Sequence, residues 1–312
     1  MYAVYNRFLN RQIPTNISFE VSKGESKNQV LSKIALDFNL SPTQIFFSKV
    51  YMFFNKNIQF DAGTYTFTTN ITYAKLYNSI RGGVEQKKVT FLEGWRLEQN
   101  ALYLRDTVNS DYATSYYNLA KKLEGNLYPN TYFIDVNAGA EALVNRQLTE
   151  FDNKTKNLFN VYSGNLSKEQ IIILASIIER EEKNDQNKSI VAGILLKRYN
   201  LGMPLDVDAT LQYALFSNQV GSFSTCLIQN DCTPDFWKKN ITESDLETNS
   251  LYNTRGKVGL PPSPICSPSF SSVESVINPK NTDYYFYLHD NTGQIHYAVT
   301  LEEHIANINK YL

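Results

Sequence analysis

The sequence predicts an α+β protein: a small mixed unit followed by a larger, helix-rich one. Three observations carry that prediction. Short alternating runs such as Ile17–Val21 (ISFEV) and Gly63–Thr68 (GTYTFT) are interspersed with stretches whose apolar residues recur at helical spacing. The 312 residues are too many for one small core and suit two units. The segment IIILASIIEREE is apolar on nearly every side, which marks a helix at the centre of a domain rather than on its surface.

The elements follow in chain order. After the strand at Ile17–Val21, GESKNQVLSKIALDF sets Val30, Leu31, Ile34, Ala35 and Phe38 at helical spacing. Ser41-Pro42-Thr43-Gln44 starts a further helix, with a capping serine, proline in the first turn and glutamine three residues on. Its apolar residues are Ile45, Phe46, Val50 and Phe53. The strand GTYTFT, a helix in ITYAKLYNSI stopped by Gly82-Gly83, and the strand KVTFL complete the first unit near residue 90. Helices are expected at Gly94–Leu104 and Tyr112–Leu123, a strand in NLYPNTYFI, and a helix in AEALVNRQLTEF. Ser167-Lys168-Glu169-Gln170 is a capping-box signature that opens the central helix. Lys188–Tyr199 forms the next one, and ATLQYAL another. Residues 216–250 read as a long irregular insertion carrying Cys226, Cys232 and Trp237. A helix at Ser271–Ile277, strands at Tyr284–His289 and Ile295–Val299, and a terminal helix at Leu301–Tyr311 close the chain.

Composition narrows the function. The formal net charge of −1 provides no basic field for nucleic acid. Three histidines and three cysteines form neither a zinc pattern nor a disulfide framework, although Cys226 and Cys232 can close a small loop. No metal or cofactor is expected, for the chain lacks a glycine-rich phosphate loop, a GxSxG elbow and HExxH. The 21 tyrosines suit a carbohydrate surface, because a ring covers the apolar face of a sugar while its hydroxyl hydrogen-bonds. They equally suit half-buried strands.

The strongest candidate for chemistry is Glu181. Leu174 and Ile177 precede it by seven and four residues, so all three share a helix face. A glutamate there is either a solvated helix end or an acid whose apolar surroundings raise its pKa. Glu179 is the second choice, and Glu182 adds a third acid beside them. Asp206 and Asp208 alternate in LDVDAT, so both project to one side; the alternative is a helix cap. Asn253 and Thr254 precede a Pro-Pro turn and offer an amide and a hydroxyl.

The ordered blocks LASIIEREE, VAGILLKRYNLGMPLDVDATLQYAL, DLET, YNTRGKVGLPPSPICSPS and INPKNTDYYFYLHDNTGQIHYAVTLEEHIANI resemble the YceG-like family of endolytic transglycosylases, also called MltG. Upstream, FDAGTYTFTTNITYAKLYNSIRGGVEQKKVTFLEGWRL resembles that family's LysM-like module and its junction with the catalytic domain. The resemblance implies residues 1–12 as a membrane-proximal stub, 13–90 as a LysM-like module and 91–312 as the catalytic domain. Within the last, 91–165 would connect, 166–312 would form the core, and 216–250 would be an insertion, with a lysozyme-like central helix carrying the glutamate. It also implies a single-pass membrane anchor, an extracytoplasmic location, peptidoglycan glycan strands as substrate and contact with wall-synthesis machinery. The family's Glu-Lys-Glu core falls on Glu179-Arg180-Glu181, which puts the acid at Glu181. The family usually has threonine or a small residue where Glu182 stands, and glycine in the Pro-Pro turn where Ser263 stands.

The expected reaction cuts between N-acetylmuramic acid and N-acetylglucosamine and leaves 1,6-anhydro ends. One carboxylate suffices, because the sugar's own C6 hydroxyl attacks. Glu181 would act as acid and then as base, with Asp206, Asp208, Thr210, Tyr213, Asn253 and Thr254 holding sugars. The competing readings are a muramidase-type hydrolase, with an aspartate activating water, and a wall-binding scaffold that no longer cuts.

Overall fold

The computed structural model describes residues 2–13, 17–22, 24–54, 60, 62–67, 71–81, 86–219, 223–229 and 232–312. Backbone packing separates Met1–Val89 with Tyr132–Gly139 from Thr90–Thr131 with Ala140–Leu312. The outcome is a mixed α+β chain in which many helices accompany small sheets.

The first unit begins with helix α1 (Tyr2–Leu9), strand β1 (Gln12–Ile13) and strand β2 (Ile17–Val21). Helices α2 (Lys27–Asp37) and α3 (Pro42–Phe54), strands β3 (Gly63–Phe67) and β4 (Ile71–Thr72), helix α4 (Tyr73–Arg81) and strand β5 (Gln86–Thr90) follow. β2 pairs antiparallel with β3, so two strands embrace the two helices between them in sequence; β1 pairs antiparallel with β4. Within α1, Phe8 is buried, stacking on Phe47 at 5.8 Å and on Tyr73 at 4.7 Å. Ser41 and Gln44 cap α3 reciprocally as expected. Its buried stripe differs from the expected one, however. Phe47 and Tyr51 face the core, whereas Phe46 and Phe53 are 54% and 64% exposed. Thr68 and the expected Gly82-Gly83 stop lie outside the described residues.

In the second unit, α5 (Leu97–Thr107) starts three residues later than expected, after Gly94 turns the chain at φ +73°. Helix α6 (Ser110–Ala120) follows; strand β6 (Thr131–Asp135) then belongs to the first unit, where it pairs with β5. Helix α7 (Ala140–Val161) runs well past the expected AEALVNRQLTEF. Next come α8 (Lys168–Glu181), α9 (Asp185–Asn200) and α10 (Asp208–Gln219). The insertion carries α11 (Phe223–Ile228) and α12 (Glu243–Leu246), and a Cys226–Cys232 disulfide joins Cα atoms 5.3 Å apart. Helix α13 (Phe270–Ile277), the antiparallel hairpin β7 (Phe286–His289) and β8 (Ile295–Ala298), and α14 (Leu301–Tyr311) complete it.

Helix α8 organises this unit. Ser167 accepts from the Gln170 amide at 3.2 Å, and the Gln170 side chain accepts from the Ser167 amide at 2.9 Å. Every residue from Ile171 to Ile178 is buried, so α9, α10 and α13 enclose it. Each fully buried isoleucine or leucine contributes roughly 1.5–3 kcal/mol, which fixes α8 at the centre. Gly193 on α9 lets Lys280 come close: a Cβ there would lie 2.1 Å from the Lys280 carbonyl oxygen. That approach guides the chain from α13 into β7, which reaches the acidic end of α8.

Candidate active site

The acids at the end of α8 have three different environments. Glu181, the last helical residue, is half-buried. The Tyr287 hydroxyl on β7 donates to its Oε2 at 2.8 Å. The Ala209 amide, in the first turn of α10, also donates to this carboxylate. Burial pushes its pKa above the ordinary carboxylate value, and the nearby Asp208 charge pushes the same way. The Tyr287 and Ala209 hydrogen bonds and His289 oppose that rise without cancelling it.

Glu179 is saturated instead. Its Oε2 accepts from the Ser269 amide at 2.9 Å and the Ser272 hydroxyl at 2.7 Å, and also from the Ser269 hydroxyl. Buried Lys188 lies 3.4 Å away and also touches Ser269, Ser271 and Asp185. This cluster ties the end of α8 to the starts of α9 and α13. Glu182 is buried where the chain leaves the helix at φ −136°, ψ 127°. It accepts from the Asn184 amide at 2.7 Å and pairs with His289 Nε2 at 3.2 Å.

Asp206 and Asp208 do project to one side, and Arg255 explains how. Its Nε donates to Asp208 at 2.8 Å and its Nη1 to Asp206 at 3.1 Å. Arg198 lies 3.6 Å from Asp206 as well. Both aspartates stay open to solvent, at 44% and 53% exposed. Asp206 adopts φ +59°, a left-handed conformation that aspartate tolerates better than most residues.

The other four expected contact residues turn inward. Thr210 and Thr254 share a 2.8 Å hydrogen bond, and Thr210 also donates to the Val207 carbonyl. Thr254 accepts from the Val207 amide. Asn253 donates to the carbonyls of Leu246 and Thr248, each at 2.9 Å. Together they brace the LDVDAT turn against the 253–255 loop. The Tyr213 hydroxyl donates to Glu124 at 2.6 Å, and the Arg96 guanidinium stacks 4.0 Å from its ring centre.

Sequence reasoning did not single out Tyr287 or Arg255. Arg255 follows the Asn253-Thr254 pair directly, so its position was a usable signal. Tyr287 carried none beyond a place in a tyrosine-rich strand. Trp237, from the insertion, packs on Arg180 with the guanidinium 4.0 Å from the ring centre. Its indole N–H donates to Gln99 at 2.8 Å. Among the described residues, no three histidine, cysteine, aspartate or glutamate side chains are grouped to hold a metal ion. No described helix is long and apolar enough to cross a membrane.

The sequence profile of the YceG-like family matches residues 19–310. The chain belongs to the YceG-like family. Among its curated relatives, the endolytic murein transglycosylase of Streptococcus pneumoniae serotype 2 (strain D39) is 30% identical over 196 residues, covering 61% of this chain and 32% of that protein. The endolytic murein transglycosylase of Bacillus subtilis (strain 168) is 30% identical over 215 residues, covering 66% of this chain and 52% of that protein. This YceG-like chain thus spans about a third to a half of the relatives it matches. A crystal structure of a YceG-like protein from Listeria monocytogenes shares the fold, with a TM-score of 0.57 at 24% identity over 93% of this chain and 98% of that one.

Proposed function

We propose that the protein is an endolytic peptidoglycan lytic transglycosylase in which Glu181 is the single catalytic carboxyl group. The observation that carries this reading is the asymmetry around Glu181. It is desolvated, its pKa is raised, and the neighbouring carboxylates Asp206 and Asp208 are tied to Arg255. A hydrolase of the two-carboxylate kind needs a second carboxylate free to act as base or nucleophile. A transglycosylase needs none, because the C6 hydroxyl of the muramic acid residue attacks its own C1.

In the proposed cycle, protonated Glu181 gives its proton to the glycosidic oxygen as the bond to C1 breaks. The resulting carboxylate takes the proton of the C6 hydroxyl as the C6 oxygen closes on C1, which restores the acid. The intramolecular attack gains an effective molarity on the order of 10⁵ M or more when aligned. In this reading Asp208 and Asp206, partly neutralised by Arg255, would stabilise the positive charge that develops on the sugar ring. Thr210, Asn253 and Thr254 hold that loop in shape.

The first unit, with its strand–helix–helix–strand order and paired outer strands, is read as a LysM-like glycan-binding module. A location outside the cytoplasm at a membrane anchor, with wall-synthesis proteins nearby, belongs to the same reading. The Cys226–Cys232 disulfide suits such an oxidising compartment.

Mass spectrometry of purified glycan strands after digestion tests the proposal. Products with 1,6-anhydro ends, lost in Glu181→Gln, are expected. Reducing muramic ends would instead identify a hydrolase, and binding without cleavage a scaffold.

A further inference from the structure

Strand β7 touches the end of α8 twice, at successive acids. Tyr287 and His289 are two residues apart on the strand, so their side chains leave the same face. Their rings lie 6.2 Å apart, edge to face. Glu181 ends the helix and Glu182 is already extended, so two adjacent carboxylates diverge far enough to meet both. Tyr287 takes Glu181 and His289 takes Glu182. Glu182 also holds the Asn184 amide, so the second contact is fastened to the turn leading into α9.

We propose that Tyr287 is a positioning residue for Glu181, and that the Glu182–His289 pair keeps Tyr287 in reach of it. Glu181 Oε2 is then kept as an acceptor, and the other carboxyl oxygen exchanges the proton with substrate. This inference rests on Glu181 being the acid, and it assigns work to Glu182, which stands where the family usually has threonine or a small residue. The charged and titratable groups around Glu181 are Glu179 and Arg180 on α8, Glu182 just past its end, Asp208 on α10, Arg255 on its loop, and Tyr287 and His289 on β7; Arg198 on α9 lies near Tyr287. Of these, Tyr287 is the group whose side chain hydrogen-bonds Glu181.

The test combines Tyr287→Phe, His289→Ala and the double variant, with thermal unfolding to verify that each is folded. Phenylalanine keeps the ring and deletes the donor. The first readout is the Glu181 carboxyl titration, followed by NMR of ¹³C-labelled glutamate and assigned with Glu181→Gln. Without the hydroxyl the carboxylate loses a stabilising donor, so the titration moves to higher pH. The second readout is formation of anhydro ends: kcat falls on the order of tenfold, short of the hundredfold that a 1 Å misplacement can cost, while KM stays within about twofold. His289→Ala gives a weaker version of both effects and adds little in the Tyr287→Phe background. An unchanged Glu181 titration in Tyr287→Phe overturns the proposal, as does a full His289→Ala effect in that background. A wild type that makes no anhydro ends defeats the functional reading instead, while the titration still decides the positioning role.

Discussion

Two glutamates in the second unit are each bound by a tyrosine hydroxyl, and they differ in what surrounds them. Tyr287 donates to Glu181 at 2.8 Å, and Tyr213 donates to Glu124 at 2.6 Å. Burial raises both carboxyl groups, Glu124 to about 7. Glu124 also accepts from the Leu97 amide, so its donors come from the start of α5 and from α10. Beside it, fully buried Arg96 is sandwiched between the Tyr213 and Phe216 rings and bonds Ser217. The arrangement fastens α5 to α10. Glu181 has the same two kinds of donor, a tyrosine hydroxyl and a helix-terminal amide, but solvent-open Asp206 and Asp208 lie near it where Glu124 has a buried arginine. A raised pKa is thus a poor marker of catalysis taken alone. The better marker is a raised pKa on a group whose neighbours open to solvent, where it can exchange a proton.

The largest expected effect tests that distinction directly. Glu181→Gln lowers the rate of anhydro-end formation by about 10²–10⁴, the usual contribution of a general acid–base group. Glu124→Gln stays within about threefold of wild type, since the amide oxygen can still accept from Leu97 while the amide N–H donates to the Tyr213 hydroxyl. Kinetics on defined glycan strands check both, and the reverse ranking would overturn the comparison.

Glu179→Gln sharpens it from the other side. Lys188 is 3% exposed, and removing one partner of a buried pair costs about 3–5 kcal/mol. Asp185, 3.1 Å from Lys188, remains, so the lower end is expected: about 3 kcal/mol by denaturant unfolding. The folded fraction keeps its activity. Activity loss without destabilisation would make Glu179 the acid.

Arg255→Met has a smaller effect. It releases Asp206 and Asp208 from their cation, so Asp208 acts on Glu181 unscreened and raises it further. The alkaline limb of the pH–rate profile moves upward by less than about one unit. An alkaline limb that stays in place would show that Arg255 does not screen Asp208 from Glu181.

How much of this was legible follows from where each determinant sits in the chain. The Ser167–Gln170 cap and the bounds of α14 could be read because both partners lie within four residues. The stripe of α3 could not, because PTQIFFSKVYMFF is apolar on more than one side. Phe8 and Tyr77 contact Phe47 and Tyr51, and those contacts decide which stripe is buried. At the site, the apolar run ending in Glu181 was visible, and so was the LDVDAT alternation. Tyr287 lies 106 residues beyond Glu181, and no spacing rule links them. Thr210, Asn253 and Thr254 belong to a segment that the spacing identified, but side-chain direction depends on a loop closing on itself 44 residues away.

The last effect concerns pH and stability. An isolated glutamate titrates near 4.5, and Glu124 in the folded protein near 7. Between these values the native state binds a proton that the unfolded chain has released, so stability falls as pH rises. The contribution is fully present below about 4.5 and is lost by about 7. Glu181 is raised as well and tilts the curve in the same direction, so wild type alone cannot separate the two. Single and double glutamine variants can. Glu124→Gln should flatten the dependence of the unfolding midpoint on pH between about 4.5 and 7, and Glu181→Gln should remove part of the remaining slope. The slopes should add, because the two carboxyl groups have different tyrosine donors and no hydrogen-bond partner in common. An unaltered slope in Glu124→Gln would mean that the group is ionised at neutral pH and that its two donors outweigh its burial. The comparison with Glu181 would then rest on geometry alone.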